Sequence, residues 1–155
     1  MKGVIVDTSV WIAFFRGLPE DKATSDALDY LLSGDEAIVN EVVLTELVPF
    51  LNVRGEAERA ASLFALQSPG LDTDWHELRV LQETCLHSGI NKVGIPDLMI
   101  AQQAMRLDMP LFSIDKHFPL IAKMSSLRLW PSGTRIEDIP LYGIPSILPL
   151  LKGGK

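Results

Sequence analysis

A chain of 155 residues, 47 % hydrophobic and 22 % charged, has the size and composition of one globular domain with one core. Its net charge of −6 argues against a protein that coats nucleic acid by basic surface alone. A single cysteine, Cys85, excludes an internal disulfide and points to a reducing, cytoplasmic setting.

No apolar stretch reaches the roughly 20 residues of a membrane helix, so no membrane partner is expected. The first apolar run stops at Asp7, too soon for a signal peptide. That run, Gly3 to Val6, is short and continuous, as expected of a strand buried on both faces. Thr8 or Ser9 is positioned to cap a helix over Val10 to Phe15, which Gly17 ends. Asp21 to Leu32 carries Ala23, Ala27, Tyr30 and Leu31 at helical spacing, with Gly34 as its stop. Ala37 to Val39 reads as a second strand. Asn40 or Glu41 opens a helix to about Asn52, in which Pro49 predicts a kink or an early end. Glu56 to Leu66 is helical, Pro69-Gly70 a turn, and Leu71 a minimal strand.

Asp74 to His87 reads as a long amphipathic helix closed by Gly89. Pro96 to Leu107 is another, with proline at or near its first position. Pro110 to Ile114 is a strand, His117 to Lys123 a short helix, and Leu127 to Trp130 a last strand. Strands alternating with helices across short loops imply parallel pairing and a layered α/β fold. Residues 1–130 form that domain. Residues 131–155 differ in character: Pro131, Pro140, Pro145 and Pro149 punctuate the apolar segment Ile139 to Leu151, which reads as an extension packed on the domain or at an interface.

Four acidic residues sit beside or inside apolar elements. Asp7 ends Val4-Ile5-Val6, Glu46 interrupts Val42 to Val48, Asp97 opens Asp97-Leu98-Met99-Ile100-Ala101, and Asp115 ends Leu111-Phe112-Ser113-Ile114. Such carboxylates are costly unless paired, hydrogen-bonded or bound to a cation. Asp7 and Asp115 both follow strands, so both lie on the carboxyl edge of a parallel sheet, where ligands bind. Asp97 sits in a first helical turn, which begins near that edge and favours a carboxylate on dipole grounds. The helical neighbours of Glu46 are Val42, Val43, Pro49 and Phe50, so it is expected on a buried face with no basic residue within one turn. Taken singly, each acid also reads as a cap, a turn residue or a solvated side chain. Taken together, they make an oxygen-ligand site for a hard divalent cation, Mg²⁺ or Mn²⁺.

The segments Val6-Asp7-Thr8-Ser9-Val10-Trp11, Thr45-Glu46-Leu47, Pro96-Asp97-Leu98-Met99-Ile100-Ala101 and Ser113-Ile114-Asp115-Lys116-His117-Phe118 resemble the motifs of PIN-domain nucleases. More closely, the chain resembles VapC-type toxins of bacterial and archaeal toxin–antitoxin systems, over roughly residues 3 to 130. The resemblance implies a three-layer α/β/α fold with a central parallel sheet. It also implies RNA cleavage dependent on one or two Mg²⁺ or Mn²⁺ ions, with Asp7, Glu46, Asp97 and Asp115 as the acidic quartet. Ser113 matches a small hydroxyl position before the last acid, and Thr8 or Ser9 matches the polar residues after the first. A cognate antitoxin and a homodimer are implied partners. There are two departures: the tail after Trp130 is longer than the usual ending, and His117 stands where some relatives carry another acid.

Arg16, Lys92 and Lys116 are candidate phosphate contacts near the site's mouth, and His117 a candidate contact to metal, water or RNA. Trp11 and Phe15, four apart on one helix, read as core. His76 and His87 have no zinc-ligand spacing, and Ser9 lacks a His–Asp arrangement for a nucleophile. The competing readings are a non-catalytic PIN-like protein-binding module and a phosphotransfer receiver or phosphatase with an aspartyl nucleophile. Retention of all four acids counts against the first, and the absence of a paired acid at Val6-Asp7-Thr8 against the second.

Overall fold

The computed structural model describes residues 2–131; the Pro-rich segment expected over 131–155 therefore lies, apart from Pro131, outside the described residues. Three short parallel strands form the centre: β1 (Val4–Val6), β2 (Ala37–Ile38) and β3 (Leu111–Phe112), in the order β2-β1-β3. Val4 pairs with Ala37 and Ile5 with Leu111, so β1 sits between the other two. Single parallel bridges widen the sheet at both sides, Ile38 to Gln67 and Leu111 to Leu129. All three residues of β1 are buried, as a strand covered on both faces requires.

Around the sheet lie seven α-helices among the described residues: α1 (Thr8–Arg16), α2 (Lys22–Ser33), α3 (Glu41–Val53), α4 (Ala57–Leu63), α5 (Trp75–His87), α6 (Ile95–Arg106) and α7 (His117–Lys123). Helices on both faces of a parallel sheet make the three-layer α/β/α architecture expected from the sequence. The core runs through all three layers, with Phe112, Phe118, Ile5, Leu28, Leu47 and Ile100 among its fully buried side chains. Cys85 and Trp11 are buried in it, and Trp11 stacks on Phe15 at 5.9 Å between ring centroids. Among the described residues, no helix is long and apolar enough to cross a membrane.

Several elements differ from their sequence-based bounds. Pro49 lies inside α3, which runs on to Val53. Thr45, whose carbonyl loses the bond that Pro49 cannot donate, is exposed, and water satisfies such a carbonyl at little cost. The helix after Gly55 is shorter than the Glu56 to Leu66 expected, running over Ala57–Leu63. The edge strand is not at Leu71: the backbone pairs instead at Gln67, whose carbonyl accepts the Val39 N–H at 3.1 Å. The turn between α2 and β2 places Asp35, not Gly34, in the left-handed region (φ 53°). Aspartate tolerates that conformation, and the Glu36 N–H then closes the helix on the Leu31 carbonyl at 2.9 Å.

Asn40 ties the layers together. Its Oδ1 accepts the Val43 N–H at 2.9 Å, capping α3, and its Nδ2 donates to Gln103 Oε1 on α6 at 2.8 Å. Gln103 in turn donates to the carbonyls of Pro69 and Gly70. Both amides are buried. Asn40→Ala removes a cap, worth about 1 kcal/mol, and leaves a buried amide oxygen unpaired at a further cost of about 1–3 kcal/mol. The urea midpoint should fall accordingly, whereas Asn52→Ala on the same helix, far from the pair, should leave it nearly unchanged.

Candidate metal centre

The carboxyl edge of the sheet gathers the acids. β1 ends directly into Asp7, which is also the N-cap of α1: its Oδ2 accepts the Ser9 N–H at 3.3 Å. The cap is thus Asp7 itself, where the sequence had suggested Thr8 or Ser9, because the first acid follows the strand without a spacer and its extended backbone (φ −68°, ψ 153°) suits the capping position. Asp7 is buried. Its N–H continues the ladder to the Phe112 carbonyl at 2.9 Å, which sets the ends of β1 and β3 side by side.

Two hydroxyls hold the buried carboxylate. Ser9 Oγ donates to Asp7 Oδ2 at 2.5 Å and Ser113 Oγ donates to the same oxygen at 2.9 Å. Ser113 Oγ also accepts the Asp115 N–H at 3.0 Å, and Ser9 Oγ accepts the Ile114 N–H at 3.2 Å. The two serines therefore lace the end of β1 to the loop after β3. On the other side of Asp7, Thr8 Oγ1 donates to Glu46 Oε1 at 2.9 Å, bringing α3 to the same edge.

Asp97 enters from the first turn of α6. One oxygen of Asp97, one of Asp115 and one imidazole nitrogen of His117 lie within 4.8 Å of one another. Burial pushes the Asp97 carboxyl up to about 6, and the charges of Asp7, Asp115 and Glu46 push the same way, against the opposite pull of His117. The four acids thus share one electrostatic environment. Asp7 is also raised from its ordinary value, by burial first, with the Ser9 and Ser113 hydrogen bonds opposing. Among the described residues, no lysine or arginine forms an ion pair with any of the four acids.

Glu46 corrects one expectation. It is exposed, not set into a buried face, because Pro49 and Phe50 beside it are exposed as well and α3 buries Val43, Leu44, Leu47 and Leu51 instead. Its place in the cluster comes from Thr8 and not from burial. Arg16 lies in the last turn of α1, the far end from Asp7, where Nε and Nη2 each meet an Asp21 oxygen at 2.9 Å. Lys92 and Lys116 are exposed, in the loop before α6 and just ahead of α7.

The family model of the PIN domain matches residues 4–124. The chain belongs to the PIN-domain family. A curated relative, ribonuclease VapC of Rickettsia bellii, is 31 % identical in an alignment of 136 positions that covers 81 % of this chain and 95 % of that protein. Among solved structures, VapBC2 from Rickettsia felis bound to a DNA fragment from its promoter matches with a TM-score of 0.59 at 18 % identity, over 76 % of this chain and 92 % of that one. FitAcB from Neisseria gonorrhoeae matches with a TM-score of 0.57 at 19 % identity, over 72 % of this chain and 87 % of that one. At these identities the two structures speak for the PIN fold alone.

Two features of this PIN domain went unread in the sequence. Asn40 was visible as a cap, but its bond to Gln103 spans 63 positions of chain and leaves no local signal. Gln102 and Gln103 are buried inside α6, and Gln102 bonds both the backbone and the acid at the start of α5 (Asp74 and Glu77). Adjacent amides in an otherwise apolar helix were the available clue that this helix packs against polar backbone on two sides.

The residues present fit a divalent cation. Asp97, Asp115 and His117 bring ligand atoms within 4.8 Å of one another, and the charges of Asp7 and Glu46 reach Asp97 from the elements beside it. Among the described residues no lysine or arginine pairs with these acids, and the His117 Nδ1 atom is buried without a hydrogen-bond partner.

Proposed function

We propose that this protein is a metal-dependent endoribonuclease, the toxin of a type II toxin–antitoxin pair, hydrolysing RNA phosphodiesters with Mg²⁺ or Mn²⁺. The observation that carries the reading is the cluster of Asp97, Asp115 and His117 within 4.8 Å of one another, beside which Asp7 and Glu46 stand near enough for their charges to add to the effect of burial on the Asp97 carboxyl. An unneutralised cluster of this kind is costly for folding alone and useful for holding a hard cation. The curated VapC relative supports ribonuclease chemistry, and the toxin–antitoxin complexes among the fold's neighbours support an antitoxin partner. A homodimer and a cytoplasmic setting belong to the same reading.

A divalent cation bound here supplies a water of lowered pKa and stabilisation of charge on the phosphate oxygens. Asp7 and Asp97 are the direct ligands in this reading, with Glu46 and Asp115 completing the shell. Ser9 and Ser113 fix Asp7 by its Oδ2 atom, so Oδ1 keeps its lone pairs for the cation. Thr8 holds the exposed Glu46 carboxylate at the edge of the site. Lys92 and Lys116, both exposed, are the side chains able to meet RNA phosphates. Arg16 is excluded from that role as long as Asp21 holds it.

The test is cleavage of single-stranded RNA by the purified chain. Activity should require Mg²⁺ or Mn²⁺, stop with EDTA, and fall at least about a hundredfold in Asp7→Asn, since even indirect supports of a metal ligand are worth 10–100-fold. Activity that is insensitive to EDTA, or equal in Asp7→Asn, defeats the reading.

A further inference from the structure

We propose that the imidazole of His117 is itself a ligand of the cation, beside Asp97 and Asp115, and that this nitrogen gives the site a preference for Mn²⁺ over Mg²⁺. The inference rests on the metal-dependent reading above and extends it to the donor set and the choice of metal.

The geometry begins with the turn between β3 and α7. The His117 N–H donates to Asp115 Oδ1 at 2.8 Å, which fixes the histidine against that carboxylate. Its Nδ1 then lies 3.1 Å from the same oxygen, with the side chain 19 % exposed. The contact is not a hydrogen bond: Nδ1 is buried and has no partner of acceptable geometry. In the tautomer with its proton on Nε2, the imidazole turns the Nδ1 lone pair toward that oxygen, and a cation bound between the two relieves the repulsion. Adjacent ligands of an octahedral ion with bonds of about 2.1–2.2 Å are about 3.0 Å apart, so the spacing is that of two neighbours in one coordination shell. One Asp97 oxygen lies within 4.8 Å of an Asp115 oxygen and of an imidazole nitrogen of His117, a third donor for the same ion.

Metal choice follows from donor type. Mg²⁺ takes oxygen almost exclusively, whereas first-row transition ions accept imidazole readily. Mn²⁺ is the transition ion whose affinity for oxygen still suits the carboxylates. A turn-forming His117 with no bond to metal would leave this selectivity unaffected, which makes selectivity the discriminating readout.

The experiment is calorimetric titration of the full chain with Mn²⁺ and with Mg²⁺, and pulsed EPR of the bound Mn²⁺ to detect ¹⁴N coupling, on the unmodified protein and on His117→Gln. The expected result is a ¹⁴N-coupled Mn²⁺ in the unmodified protein. In His117→Gln the coupling disappears, and the ratio of Mn²⁺ to Mg²⁺ affinity falls about tenfold. His76 and His87, exposed on α5, remain in the variant and control for adventitious binding. Bound Mn²⁺ without ¹⁴N coupling in the unmodified protein overturns the inference and leaves the metal-site reading standing; that measurement needs no variant. Coupling that survives His117→Gln, or an unchanged ratio, also overturns it. Failure of the unmodified protein to bind Mn²⁺ at all overturns both.

Discussion

Asp97→Asn should abolish metal-dependent RNA hydrolysis and, at the same time, make the metal-free protein more stable near neutral pH. The two effects share a cause. Asp97 is half-buried at the start of α6, and burial, with the charges of Asp7, Asp115 and Glu46, raises its pKa to about 6. In the unfolded chain the same carboxyl titrates near 3.9. The folded protein therefore holds the proton more tightly, so Asp97 favours folding below about pH 4 and loses that contribution as pH rises through 6. The full linkage would be about 3 kcal/mol, and solvent screening of a half-exposed group leaves about 1 kcal/mol. Asparagine carries no charge to repel. Without metal, the variant should melt a few degrees higher than the unmodified protein at pH 7.5, on the scale of about 2–4 °C per kcal/mol, and the two should converge at pH 4. Adding Mn²⁺ at pH 7.5 should reverse the order, because the cation neutralises the cluster only where all the carboxylates remain. The check is a set of melting curves across pH with and without Mn²⁺, beside the cleavage assay. Parallel pH profiles for the two proteins would show that neither burial nor the other three acids raises the Asp97 carboxyl in the folded protein.

Asp7 was legible because the short apolar run Val4–Val6 leads straight into it, whereas the strand expected over Pro110 to Ile114 ends at Phe112, so Asp115 stands three residues past it on the loop instead of directly at its end. Asp97 was legible from Pro96 and the helical periodicity after it. Glu46 was found for a mistaken reason: apolar neighbours were taken to mean burial, but Pro49 and Phe50 are exposed and the helix turns a different face inward. Hydrophobicity marks a buried face only when the neighbouring layer is there to cover it. The edge of the sheet was misplaced to Leu71 because backbone pairing at an edge requires no apolar side chain, and Gln67 provides one carbonyl and one bridge. The serine lattice was legible as residue types but not as geometry. That Ser9 and Ser113, 104 positions apart, approach to 3.3 Å depends on β1 and β3 being neighbours, which no local pattern states.

Neighbouring residues at the end of β3 should separate the fold from the site. Phe112 is fully buried, and its ring packs edge-on against Trp130 at 5.0 Å between centroids. Phe112→Ala empties that volume and should cost about 3–5 kcal/mol, the largest stability loss expected here, seen as a drop of roughly 10 °C in melting temperature. Only its side chain is removed, so the carbonyl that receives the Asp7 N–H stays, and the register that aligns the acids is set by backbone. The folded fraction should accordingly keep its Mn²⁺ affinity within about threefold, a shift of well under 1 kcal/mol. Ser113→Ala should do the reverse. Side chains alternate across a strand end, so Ser113 points to the carboxylates, where its hydroxyl bonds Asp7 and receives the Asp115 N–H. Losing a half-buried hydroxyl costs about 1 kcal/mol of stability, but it removes one of the two hydroxyls on Asp7 and the acceptor of the Asp115 N–H together, and Mn²⁺ affinity should fall about tenfold or more. Urea unfolding and calorimetric titration of the two variants decide the matter. If Phe112→Ala loses the metal as severely as Ser113→Ala, the carboxylates are positioned by core packing and not by the strand register and its two serines.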